Sequence, residues 1–266
     1  MNNRTPFRYP GAKNKVLLSL MPYINVLLED EHCFCDAFVG GGSVALEVAE
    51  RYPYLDVVLN DKDYNIYCFW SIVTGNNKTD LKDLLSLIDQ EPTIDLFQFL
   101  RSVDSGDKTV CAYKSIFFNR TAFSGIYMSG PIGGVGQKSK YAINCRYNAK
   151  KIKEKILYIN TLLRGRTTVL NQDINSLLDQ VVCPLYLDPP YFVAGEMLYP
   201  VFMKAQEHFK MSQKLSQKTK WVLSYDDNEI IKKWYKNCKV DKINSKYCID
   251  GVKTSWKGKE ELIIRG

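Results

Sequence analysis

The feature that most constrains the fold is a short apolar strand that runs into three glycines. Cys33 to Phe38 reads as a strand ending in Gly40-Gly41-Gly42. Glycine permits the tight turn and close backbone approach that a bound ligand needs. Ser43 stands where a capping side chain belongs, and Val44, Ala45, Val48 and Ala49 then repeat at helical spacing. A second strand, Asp56 to Leu59, ends at Asn60-Asp61. Strand, glycine turn, helix, strand is the opening unit of a doubly wound α/β sheet. In that unit an acid about 20 residues after the glycines can hold two ribose hydroxyls. Asp61 has this spacing from Gly42. The segment is neither GxGxxG nor a P-loop, so a plain tight turn with Asp61 capping a helix fits it as well.

Around this unit the chain changes character twice. Phe7 to Lys13 reads as a loop and a helix starts at about Lys15. From about Tyr64 to Arg166, helical stretches, an aromatic-rich patch at 113–127 and a glycine-rich loop at 130–136 replace the βα alternation. Of the aromatic patch, Phe117, Phe118, Phe123 and Tyr127 are expected to be mostly core. The alternation resumes near Thr168, with an apolar strand Val181 to Leu187, a helix around Glu207–Gln217 and a buried strand Trp221–Ser224. Segments at about Asn244–Ile249 and Glu261–Ile264 resemble an antiparallel pair. The expected fold class is α/β, a mostly parallel Rossmann-like sheet with a C-terminal antiparallel hairpin. Residues 1–63 and 166–266 would build it, and 64–165 would be a mainly helical inserted domain.

The strand at 181–187 ends in Asp188-Pro189-Pro190-Tyr191. Two prolines cannot continue a ladder, so the chain must leave the sheet there, stiffly. Asp188 and the Pro189 carbonyl can accept both protons of an amino group, while Tyr191 offers a face for stacking a base. Drawing on both protons makes the nitrogen lone pair available to an electrophilic methyl group. Stabilising the charge that develops is then the protein's main lever, and no strong base is required.

Charge adds a partner. Residues 101–170 hold thirteen Lys or Arg against Asp104, Asp107 and Glu154, a block of +10 in a chain of net +7. Such a block suits a polyanion, although a Lys-rich solvated helix near 149–155 would give the same count. Eight scattered cysteines without a CxxC pair argue against a zinc cluster and a disulfide framework. His32 and His208, the two histidines, read as surface or boundary residues without a catalytic role. No apolar run is long enough to span a membrane, and no secretory leader is visible, so a cytoplasmic location is expected.

Taken together these motifs resemble those of the Dam-type (D12 class) DNA adenine methyltransferases, in the α order, along nearly the whole chain. Phe7-Arg8-Tyr9-Pro10-Gly11-Ala12-Lys13 is similar to the family's N-terminal cofactor motif, with Ala12 where glycine is usual. Asp36 to Ser43 resembles its glycine motif, and Asn119 to Gly125 the start of its DNA-contacting hairpin, here near 123–140. Asp188 to Tyr191 resembles the catalytic motif, and Ser224-Tyr225-Asp226 a late segment.

The resemblance implies S-adenosylmethionine as sole cofactor, no metal, and double-stranded DNA as partner, with the enzyme a monomer or weak dimer. It implies methylation of adenine N6, on a base flipped out of the duplex into a pocket holding Asp188, Pro189, Pro190 and Tyr191. Tyr9, Lys13, Phe38, Gly40, Gly42, Ser43, Asp61, Asp173, Ile174 and Asp188 would line the cofactor site. Arg8, Asn119, Arg120, Ser124, Tyr127, Met128, Lys138, Lys140 and Arg146 would face DNA. The amino groups of cytosine, an RNA base or a glutamine amide suit the same loop, and a DNA-binding relative without turnover would keep the same fold. GATC is not the expected site. Relatives specific for it carry Asn and, four residues on, Arg in the hairpin, where this chain has Ser124 and Met128. Methionine cannot make the bidentate bond by which arginine reads guanine.

Overall fold

A computed structural model describes residues 4–8, 13, 16–192, 202–245 and 259–266. Among these, seven strands form one sheet in the order β3-β2-β1-β4-β5-β7-β6. The strands are β1 (Cys33–Asp36), β2 (Asp56–Asn60), β3 (Thr167–Leu170), β4 (Leu185–Leu187), β5 (Trp221–Asp226), β6 (Lys239–Ser245) and β7 (Lys259–Arg265). The first five pair in parallel, while β7 runs antiparallel to β5 and to β6. The mostly parallel sheet with its C-terminal antiparallel hairpin is the expected one. Chain order reverses between β1 and β4, which opens a crevice outside their carboxyl ends.

Ten α-helices accompany the sheet among the described residues. They are α1 (Leu17–Leu27), α2 (Ser43–Arg51), α3 (Tyr64–Thr74), α4 (Lys78–Ile88), α5 (Ile94–Ser102), α6 (Lys108–Thr121), α7 (Ala149–Leu163), α8 (Ile174–Gln180), α9 (Ala205–Leu215) and α10 (Glu229–Trp234). On one face, Leu177 of α8, Met211 and Leu215 of α9 and Ile231 of α10 bury Leu187 and Leu223. On the other, Val57, Leu59, Tyr186 and Val222 join a core that runs through Phe69 and Trp70 of α3, Phe117 and Phe118 of α6 and Ile156 and Ile159 of α7. The helical segment 64–165 therefore shares one hydrophobic core with the sheet. Apolar stripes on α3 and α7 are buried against it, because burying them is worth more than any local propensity.

Several local expectations change. The strand expected from Val181 begins at Leu185, since Asp173 caps α8, which runs to Gln180 through 173–180. Ser43 is the first helical residue and not the cap. Gly42, in the left-handed region at φ 69°, takes that place without a side-chain bond. In place of the hairpin expected near 123–140 there is a 3-10 helix at Phe123–Gly125, one isolated bridge between Ala122 and Pro131, and otherwise turns and bends. Pro131 lacks a donor, and Gly133, Gly134 and Gln137 all have positive φ, so no ladder can extend.

Two further corrections concern single side chains. Cys33 and Cys183 form a disulfide, Cα–Cα 5.5 Å, contrary to the expectation of none. The parallel register of Cys35 with Leu185 brings them together at the amino ends of β1 and β4, away from the crevice. His208 is not at the surface. It is buried on α9 with its Nδ1 against the Tyr225 hydroxyl, and burial lowers its pKa to about 4. The antiparallel strands extend over 239–245 and 259–265, while residues 246–249 of the expected segment lie outside the described residues.

Candidate active site

The end of β4 is the centre of the crevice. Asp188 follows Leu187 directly, and Ser224 on the neighbouring β5 donates from Oγ to its Oδ1 at 3.0 Å. Tyr186 OH lies 2.9 Å from the same Oγ. With the serine proton given to Asp188, the tyrosine is the donor to serine. Lys13 Nζ is also held at Oδ1, at 2.7 Å, and at 2.6 Å from Oε1 of Glu261 on β7. The Tyr191 hydroxyl is 3.4 Å from both Lys13 Nζ and Glu261 Oε1.

Burial sets the electrostatics of this group. The side chains of Lys13 and Glu261 are 4% and 2% exposed, that of Asp188 23%. Burial alone would lower the Lys13 pKa, but Asp188, then Glu261, hold it well above the ordinary lysine range. The Tyr186 hydroxyl is pushed well up, first by burial and then by the Asp188 charge. Among the described residues, Lys13 and Ser224 both engage Oδ1 of Asp188.

The glycine turn closes the crevice at the end of β1. Gly40 N–H donates to Asp61 Oδ2 at 2.9 Å, and Asp63 N–H donates to Asp61 Oδ1 at 2.9 Å. Burial, then the Asp63 charge, raises Asp61 to about 7. Trp70 of α3 braces the turn. Its indole N–H donates to Gly40 O at 3.0 Å, and a Cβ on Gly42 would come within 2.4 Å of its ring. At Gly40 the surroundings are open, with the Phe38 carbonyl at 4.0 Å the nearest atom to such a Cβ. Asp36 ends β1, buried, and its Oδ1 has no hydrogen-bond partner. Burial, then the charge of Asp188, raises it to about 8.

These observations bear on a nucleoside cofactor carrying positive charge. The open face at Gly40, the unsatisfied Asp36 oxygen and the three acidic side chains Asp36, Asp61 and Asp188 offer hydrogen-bond acceptors and negative charge that suit such a molecule. Phe38 packs beside them on the core of α8. Ile174 is buried in that same core. Asp173 is engaged as the cap of α8, accepting from Asn175 N, Ser176 N and Ser176 Oγ, and those bonds, led by the hydroxyl, lower its pKa. Tyr9 lies outside the described residues.

The residues expected to face DNA divide into two groups. Asn119 is buried and accepts the Arg8 N–H on Oδ1 at 2.7 Å. Arg120 turns inward onto the Pro6 carbonyl, and burial, then the nearby Arg8 charge, lowers it to about 10. Both hold the N-terminal segment in place through these bonds. Gly125, at φ 74°, lets that segment close, since a Cβ there would meet Arg8 O at 2.6 Å. Ser124 and Tyr127 are half-buried. Arg101, which sequence reasoning passed over, stacks 4.3 Å over Phe118 and 5.1 Å over Tyr127 and donates to Ser129 O. That clamp leaves Met128 outside, 69% exposed.

Arg8, Lys138, Lys140 and Arg146 are exposed. Arg8 and Arg146 are close enough that, after burial, Arg146 is the next cause lowering the Arg8 pKa. Six of the thirteen basic residues in 101–170 serve the fold. Arg101, Lys114, Arg120, Lys155 and Arg166 bind backbone carbonyls, and Lys153 pairs with Asp89.

The sheet order and the acids gathered at its reversal define a methyltransferase fold. Within that class, the sequence matches the D12 class N6 adenine-specific DNA methyltransferase family over residues 9–249, and the chain belongs to this family. It is also similar to the Type II methyltransferase M.MjaIII of Methanocaldococcus jannaschii. The two are 23% identical over 206 residues, which cover 70% of this chain and 68% of that one. The protein is thus an adenine-specific DNA methyltransferase, with DNA and a methyl donor as its substrates.

Proposed function

We propose that S-adenosylmethionine is the donor, bound across the glycine turn, and that Asp188 receives an adenine flipped out of duplex DNA. When bound, the cofactor supplies a methyl group on a positively charged sulfur, which leaves as a neutral thioether. The observation that carries the reading is the state of Asp188. Lys13 and Ser224 both engage one carboxylate oxygen, and the side chain stays 23% exposed, so the other oxygen is available as an acceptor. That oxygen and the Pro189 carbonyl accept the two amino protons. As N6 takes up the methyl group, one amino proton would leave through Asp188 or directly to water. Tyr191 stacks on the base, which repays the few kcal/mol that flipping costs.

Asp61 would take the ribose hydroxyls and Lys13 would anchor the methionine end of the site, with Tyr9 from the same segment. Phe38 and Ile174 would pack against the adenine of the cofactor, and Asp173 would meet its edge through lone pairs beyond those used in capping. Residues 64–165 would recognise DNA through Met128, Lys138, Lys140 and Arg146, joined by Arg8 from the N-terminal segment, with Asn119, Arg120, Ser124 and Tyr127 shaping that surface. An exposed Met128 supports a site other than GATC, because its side chain reaches only an apolar base edge. Wild type and Asp188→Ala, each expressed in a methylation-free host, test both points when methylated bases are sequenced. The expected result is N6-methyladenine outside GATC with wild type and none with the variant. An active Asp188→Ala, or methylation confined to GATC, would be incompatible with the reading.

A further inference from the structure

Glu261 lies beyond residue 249, where the family match ends. Its neighbours in sequence, Lys259 and Glu260, are those of an ordinary charged strand. Antiparallel pairing places it opposite Asp226 of β5, two residues past Ser224, so a C-terminal side chain arrives beside the end of β4. There it is almost wholly buried, and its Oε1 is 2.6 Å from Lys13 Nζ. A buried carboxylate is strongly disfavoured unless it is paired. Lys13 answers that need, but it already pairs with Asp188 at 2.7 Å. One ammonium is therefore shared between two carboxyl groups.

We propose that Glu261 is a positioning residue for methyl transfer: by holding Lys13 from the far side, it leaves the Asp188 carboxylate anionic toward the amino group. Without Glu261 the ammonium would belong to Asp188 alone. That pair would be neutral, and its carboxylate a weaker acceptor for protons that become more acidic as the N–C bond forms. Glu261 also fixes where Lys13 stands, since a charge held from two sides has one position while a charge on a single partner can swing. The inference rests on the role given to Asp188 above.

The test measures transfer from tritium-labelled S-adenosylmethionine to unmethylated bacterial chromosomal DNA by wild type, Asp188→Ala, Glu261→Gln, Lys13→Met and the double variant Lys13→Met/Glu261→Gln. Glu261→Gln is expected to lower kcat about tenfold or more, with KM for both substrates within about threefold of wild type. In the Lys13→Met background the same change should alter kcat less than about threefold, because residues acting through one partner are not additive. If Glu261→Gln does not fold, Lys13→Met/Glu261→Leu removes both buried charges together and should match Lys13→Met in kcat.

A folded Glu261→Gln with wild-type kcat, beside an inactive Asp188→Ala, would overturn this inference alone. So would a Glu261 effect that persists in full without Lys13, whether with Gln or with Leu. An active Asp188→Ala, or a wild type that transfers nothing, would overturn the underlying reading and this inference with it.

Discussion

At the scale of residues, the crevice is defined by charges kept out of water. Asp36 is the sharpest case. Burial and the neighbouring Asp188 raise its pKa to about 8 in the folded chain, against about 3.9 when unfolded. Between those values the folded state binds the extra proton, so stability falls as pH rises from about 4 to about 8. Asp61, raised to about 7, contributes in the same direction. His208 acts oppositely: with its folded pKa lowered to about 4, stability falls as pH drops below about 6.5. Between pH 6.5 and 8.5 the carboxyl groups dominate, and the remaining His208 contribution cancels when wild type is compared with an Asp36 variant. Urea unfolding at these two values should show wild type losing more stability than Asp36→Asn, by an amount on the order of 1 kcal/mol. Equal losses would show that Asp36 does not hold a proton in the folded protein.

At the scale of elements, the glycine turn has two faces with different duties. Gly42 is pressed on Trp70 and sits at φ 69°, whereas Gly40, at φ 43°, looks into open space. Gly42→Ala introduces both a left-handed alanine and a clash with the indole. A destabilisation of roughly 2–4 kcal/mol is expected. Gly40→Ala meets no protein atom, so the smaller stability loss, about 1 kcal/mol, should come with a marked loss of S-adenosylmethionine affinity. Denaturant melts and calorimetry separate the two effects. If Gly40→Ala bound the cofactor as wild type does, the cofactor would not lie across this turn.

At the scale of the whole molecule, the basic excess of segment 101–170 is smaller on the surface than its count suggests. Arg101, Lys114, Arg120, Lys155 and Arg166 are tied to carbonyls of their own chain. DNA binding should then engage mainly Arg8, Lys138, Lys140 and Arg146 with a few neighbours. At about 0.9 per phosphate, log Kd against log salt should have a slope magnitude of roughly 3–6. A value near 10 would mean that the inward-facing residues are released onto DNA, and a value near zero that the surface does not meet phosphates. Lys138→Ala should reduce the slope by about 1 without altering cofactor binding.

The sequence alone determined what depends on local chemistry and order. Glycines that end a strand, two prolines that end another, and the alternation of apolar segments are enough for the parallel sheet. The same signals place Asp61 and Asp188 at its carboxyl edge, because each acid directly follows the strand that carries it. The tertiary structure decided what depends on register and on packing between distant segments. It brought Glu261 to Lys13 through an antiparallel pairing that no motif announces. It drew Trp70, Arg101 and Arg120 inward, where a ring or an unpaired carbonyl outweighed solvation of a polar tip. It also joined Cys33 to Cys183 across 150 residues. Spacing along a chain records which neighbours a residue has in sequence. Only burial selects which of the remaining groups must find each other, since an unpaired charge or donor inside the core is too costly to leave.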